Sequence, residues 1–79
     1  MDKVYVVKTS DGEYNVCNVY VGDVRAEIKT VIPNAVAAYR VKKDVLMDKL
    51  RALDKNHSAE DVLQAYVDSI DIDSVIEFG

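Results

Sequence analysis

Cysteine occurs once in these 79 residues, proline once and tryptophan not at all. With Cys17 alone, no disulfide can form within the chain, and a free thiol points to a reducing compartment. His57 is the sole histidine, so the usual Cys and His ligand sets for zinc cannot be assembled. A general base at His57 would need an orienting neighbour and a nucleophile, and its turn-like surroundings supply neither. The three glycines, Gly12, Gly22 and Gly79, lie too far apart for a phosphate-cradling loop. No apolar run approaches the ~20 residues that span a bilayer. Met1-Asp2-Lys3 leads straight into a strand-like pattern with no signal-peptide core, so a cytoplasmic, non-membrane protein is expected. Positive charge is missing from His57 onward. Residues 1–43 hold seven Lys/Arg against five Asp/Glu, and residues 44–79 hold three against nine. Such asymmetry bears on partners rather than on fold.

One domain over 1–79 is expected, near the lower size limit for independent folding. Residues 3–9 form a β-branched and aromatic run, and Asp11-Gly12 signals a hairpin. Residues 13–21 resume the strand pattern, and Gly22-Asp23 suits a second tight turn. Residues 24–31 alternate, with Val24, Ala26 and Ile28 opposite Arg25, Glu27 and Lys29. Two-residue loops at both turns place Val4, Val6, Cys17, Val19, Ala26 and Ile28 on one inward face. Cys17 then reads as a buried, inert small residue.

Pro33-Asn34 can turn the chain into a fourth strand over 35–41, although the alanines of this segment also suit a helix. Asp44 is the expected N-cap of a helix reaching Leu53 or Asp54 that buries Leu46, Met47, Leu50 and Leu53. Ser58 with Asp61 reads as a capping box for a second helix with the stripe Val62, Leu63, Tyr66, Val67 and Ile70. Residues 73–78 suit a short final strand with Val75 inward and Ile76 or Phe78 beside it. The expected class is α+β: an antiparallel three- to four-stranded β-meander, two C-terminal helices packed on one face, and a short final strand, ββββααβ.

Asp68, Asp71 and Asp73 lack the glycine and closing glutamate of a calcium loop, and no cofactor or metal is expected. Nor does any motif suggest an enzyme. Two surfaces remain as binding candidates. The outer sheet face collects Tyr5, Tyr14 and Tyr20 with Val7, Val16, Val31 and Val36, and suits protein contact or self-association as a homodimer. The C-terminal carboxylates Asp68, Asp71, Asp73 and Glu77, with Glu60 and Asp61, suit docking to a basic protein surface. A small acidic chain of this make-up has the general look of phage or mobile-element proteins that inhibit host nucleic-acid enzymes, of which anti-CRISPR proteins are one kind. That likeness rests on size and charge, not on a motif. The rival expectation is single-stranded nucleic-acid binding, with the tyrosines stacking bases among Lys3, Arg25, Lys29 and Arg40.

Overall fold

The computed structural model describes residues 3–20 and 22–78. Val21 of the expected second strand, the Met1-Asp2 start and Gly79 lie outside the described residues. The elements are β1 (Lys3–Thr9), β2 (Tyr14–Val19), α1 (Val24–Val31), β3 (Ala35–Arg40), α2 (Lys43–Arg51), α3 (Ala59–Val67), a 3₁₀ turn over Ile72–Ser74 and β4 (Ile76–Glu77). The class is α+β, with an antiparallel sheet, two C-terminal helices and a short last strand. The segment from Ala35 is a strand, as its return from Pro33-Asn34 suggests.

Residues 24–31 are a helix, where the alternation suggests a strand. Asp23 accounts for this. Its side chain accepts hydrogen bonds from the backbone N–H groups of Arg25 and Ala26, so the Gly22-Asp23 pair starts a helix instead of closing a hairpin. Val24, Ile28 and Ile32 then recur every four residues and pack together on the sheet. Ile32, preceding Pro33, leaves the helical region at φ −127° and ψ 82°. With that helix inserted, β3 pairs with β1, and the sheet order is β2-β1-β3-β4 instead of a meander.

The first hairpin also differs by one residue from a two-residue loop. Tyr5 pairs with Cys17 and Val6 with Val16. The loop is Ser10-Asp11-Gly12. Gly12 sits at φ 83°, its N–H bonds to the Thr9 carbonyl at 3.0 Å, and the Thr9 N–H bonds to the Glu13 carbonyl at 2.9 Å. This is a three-residue loop with a left-handed third residue, a conformation that suits glycine. The Thr9 hydroxyl bonds to the Asp11 carboxylate, which holds that carboxyl below its usual range.

The shifted register divides the apolar residues between two faces. Tyr5, Val7, Cys17, Val19, Ala35 and Ala38 lie under α1, with Ile76 and Phe78 beside them. Val6 and Val41 lie under α2 and α3, with Leu46 and Ala65. Central strand β1 is therefore buried on both sides. The expected one-sided placement of α2 and α3 holds, and α1 covers the opposite face.

Ser58 caps α3 through the reciprocal box with Asp61, worth about 1 kcal/mol. Helix α2 begins two residues earlier than an N-cap at Asp44 would set it. Lys42 is its N-cap and makes no side-chain cap, while Asp44 sits in the first turn. Leu46 is buried as expected, and Met47 is exposed. Val75 is also exposed, and the inward residues of the last segment are Ile76 and Phe78. The Phe78 ring lies 5.4 Å from the Arg25 guanidinium and 5.6 Å from the Lys29 ammonium, which ties the C-terminal segment to α1.

Candidate functional site

The three tyrosines expected on one outer face are not together. Tyr5 is only 5% exposed, beneath α1. Tyr14 projects on the α2/α3 side and lines a groove against α3. Tyr20 follows β2 and is well exposed. Val31 is exposed at the end of α1, and Val36 lies on β3, where its carbonyl accepts from the Phe78 N–H at 3.0 Å. The register shift separates Tyr5 from Tyr14, and the α1 helix removes Val31 from the sheet.

The C-terminal carboxylates are carried by three different elements. Asp68 ends α3 and accepts from the Gln64 amide at 2.8 Å. Asp71 caps the 3₁₀ turn through the Asp73 N–H and faces a cleft lined by Lys3, Arg40, Lys42 and Lys43. Its charge is thus set among cations. Asp73 lies within the 3₁₀ turn, and Glu77 lies on β4 opposite Ala37. That cleft, of about 340 Å³, has no aromatic side chain in its lining.

What the fold does assemble is a groove of about 560 Å³ between the start of β2 and α3. Tyr14, Leu63 and Val67 supply its apolar surface, Gln64 a polar amide, and Glu13 and Glu60 two carboxylates. Tyr14 stands among these residues because Gly12 turns the chain directly below α3. Leu63 and Val67 are four residues apart and share one helix face. Of this group, the sequence alone marks only Tyr14, as a contact residue on the sheet, and Glu60, in the acidic stretch. Leu63 and Val67 appeared only as part of a core stripe. Glu13 gave no signal, because its position beside α3 depends on the hairpin register.

The groove adjoins the outer edge of β2, and hydrogen-bond parity determines what that edge offers. The Thr9-to-Glu13 bond means that Asn15, Cys17 and Val19 turn N–H and C=O toward β1. Tyr14, Val16 and Asn18 therefore turn theirs outward. The same parity recurs across β1, where the Val41 N–H bonds to the Val4 carbonyl at 2.9 Å. Among the described residues, no strand pairs with this edge. The Cys17 thiol reaches the Asn18 carbonyl at 3.9 Å, and the Glu27 carboxylate receives the Tyr20 N–H at 3.4 Å just past the strand.

Cys17 itself is buried under α1, and His57 lies in the turn before α3 with Nδ1 2.6 Å from the Asp54 carbonyl oxygen. Burial, with the nearby Glu27 charge, raises the Cys17 thiol above its ordinary range. The folded thiol keeps its proton to higher pH than the unfolded one. Stability should therefore fall as pH rises above about 8.5, where an unfolded thiol ionises. Urea midpoints of the wild type and Cys17→Ala, measured from pH 7 to 10, should diverge, the wild type losing more. Parallel curves would show no such linkage.

Among the described residues, the surface thus offers an apolar, acid-rimmed groove, a basic cleft and an open strand edge. Comparison with protein-family models, with curated proteins and with solved structures returns no match.

Proposed function

We propose that this chain is a non-enzymatic protein-binding module whose contact site is the groove between β2 and α3. The observation that carries the reading is the pairing of an apolar floor, Tyr14, Leu63 and Val67, with carboxylates at Glu13 and Glu60. Such a groove fits a partner segment that presents an apolar side chain flanked by Lys or Arg. The tyrosine supplies area at small entropy cost, and the carboxylates select by charge. In its sharper form, the partner is a nucleic-acid-acting protein. Its basic surface would then be occupied by this module instead of by phosphates.

The nucleic-acid alternative needs stacking aromatics beside cations. Tyr5 is buried, the basic cleft around Lys3 and Arg40 has no aromatic lining, and the ring that Arg25 and Lys29 flank, Phe78, is packed against the core, so protein binding is the better supported reading.

Peptide display against the immobilised protein tests it. The enriched sequences should carry an apolar residue flanked by Lys or Arg. Reversing both carboxylates, Glu13→Lys with Glu60→Lys, should weaken binding about tenfold or more, since two exposed ion pairs become two repulsions. Added salt should weaken the wild-type interaction in the same direction. Failure to enrich such sequences, or enrichment insensitive to the double reversal, would overturn the groove as the site.

A further inference from the structure

Strand β2, Tyr14–Val19, contains no charged residue, no proline and no bulge, the devices that ordinarily protect a sheet edge. The opposite edge, β4, is protected by being two residues long. Three successive outward positions, Tyr14, Val16 and Asn18, each present an N–H and a C=O. All three are exposed, Tyr14 by 38% and Val16 by 40%.

We infer that two copies of this chain pair through β2, antiparallel, about a two-fold axis passing beside Val16. The fit is one of hydrogen-bond parity. An axis perpendicular to the sheet sets Val16 against Val16 of the second copy, and Tyr14 against its Asn18. Three outward residues per copy offer three N–H and three C=O groups. This register joins each N–H to a C=O across the axis, for six hydrogen bonds with none left over. Facing side chains also agree. Tyr14, Val16 and Asn18 lie on the α2/α3 side in both copies, so Val16 meets Val16 and each tyrosine meets an asparagine.

Electrostatics permit the contact. In a chain with a formal charge of −4, the edge is a neutral stretch where a second copy meets no like charge within the strand. The nearest carboxylate along the strand, Glu13, falls opposite Val19 of the other copy. The product is a continuous eight-stranded sheet, four strands from each copy, with both α1 helices on one face. The two grooves lie on the other face. This pairing goes beyond the groove reading and does not depend on it.

The experiment reads mass and amide exchange, not peptide binding. Sedimentation equilibrium of the intact chain, from micromolar to roughly millimolar concentration, should show a monomer converting to a dimer, since edge pairing buries less than a standard interface. Exchange of the Tyr14, Val16 and Asn18 amides should slow as concentration rises, while Asn15 and Cys17 stay protected throughout. Val16→Pro removes an outward N–H and no ladder bond to β1, so it should keep the fold, read by circular dichroism, and stay monomeric. Should that variant lose its fold, an N-methyl group on the Val16 nitrogen in a synthetic chain removes the same donor. A wild type that stays monomeric at the highest concentration would overturn the pairing. So would a dimer whose protection does not alternate along β2, or one that persists without the Val16 N–H.

Discussion

Val7→Asp is expected to unfold the protein. Val7 is fully buried under α1, between Tyr5 and Ala38 of the same cluster. An unpaired carboxylate there costs several kcal/mol, or neutralises at a similar cost in shifted pKa. A core of this size supplies only about 3–5 kcal/mol of net stability. The substitution therefore removes most or all of it, and circular dichroism at 25 °C should show loss of structure. Val7→Thr, a near-isosteric exchange that buries a hydroxyl, should stay folded and lose about 1–3 kcal/mol in urea titration. Val7 is the sharp test of the two-sided sheet. In a meander with two-residue loops it faces solvent, and either change would then shift stability by less than about 0.5 kcal/mol. A folded Val7→Asp would rule out the α1 layer over β1.

The same residue shows where the sequence was legible and where it was not. The hairpin at Asp11-Gly12, the strand after Pro33-Asn34 and the Ser58 cap are local signals. Each is met by local chemistry: the positive φ at Gly12, the β3 pairing, and the reciprocal bonds of Ser58 and Asp61. Register is not a local signal. Asp11-Gly12 serves a two-residue or a three-residue loop, and Thr9 decides between them by bonding Asp11 with its hydroxyl and Glu13 through its N–H. One residue of slip puts Cys17 and Val19 on the face of Tyr5 and Val7 instead of that of Val4 and Val6, and α1 buries that face. The continuous apolar run Val4-Tyr5-Val6-Val7 is the pattern of a strand buried on both faces. Reading it as alternating required a second helical layer to be absent.

The binding residues follow the same division. Tyr14 was legible as a contact candidate because it is a large side chain on a strand with little core to join. Glu13 and Glu60 are brought together only by the loop geometry and the placement of α3. Asp71 illustrates the reverse. Along the chain it belongs to an acidic tail, but in space it faces Lys3, Arg40, Lys42 and Lys43. Sequence neighbourhood measured the charge of the segment and not the charge of the surface.

Residues 24–32 hold the remaining ambiguity, and Ile28→Ala resolves it with the second large effect. Both periods are present there. Val24, Ala26 and Ile28 alternate, and Val24, Ile28 and Ile32 recur every four residues. The helix prevails because Asp23 satisfies its first N–H groups, and because its stripe covers the Tyr5, Val7 and Cys17 face that would otherwise meet water. Ile28 is fully buried at the centre of that contact. Truncation to alanine removes apolar area and leaves a cavity between α1 and the sheet, at a cost of about 2–5 kcal/mol. That is comparable to the whole stability of the domain, so the urea midpoint should collapse toward zero. Ile28 faces inward in either conformation, so a partner substitution is needed to separate them. Ala26 lies inward in a strand but is exposed in α1, where its bonds, to the Asp23 carboxylate and from the Thr30 hydroxyl at 2.8 Å, involve its backbone and not its side chain. Ala26→Lys should therefore stay within about 0.5 kcal/mol of wild type. Severe loss from both changes would restore the strand, whereas loss from Ile28→Ala alone is the signature of a helix lying across the sheet.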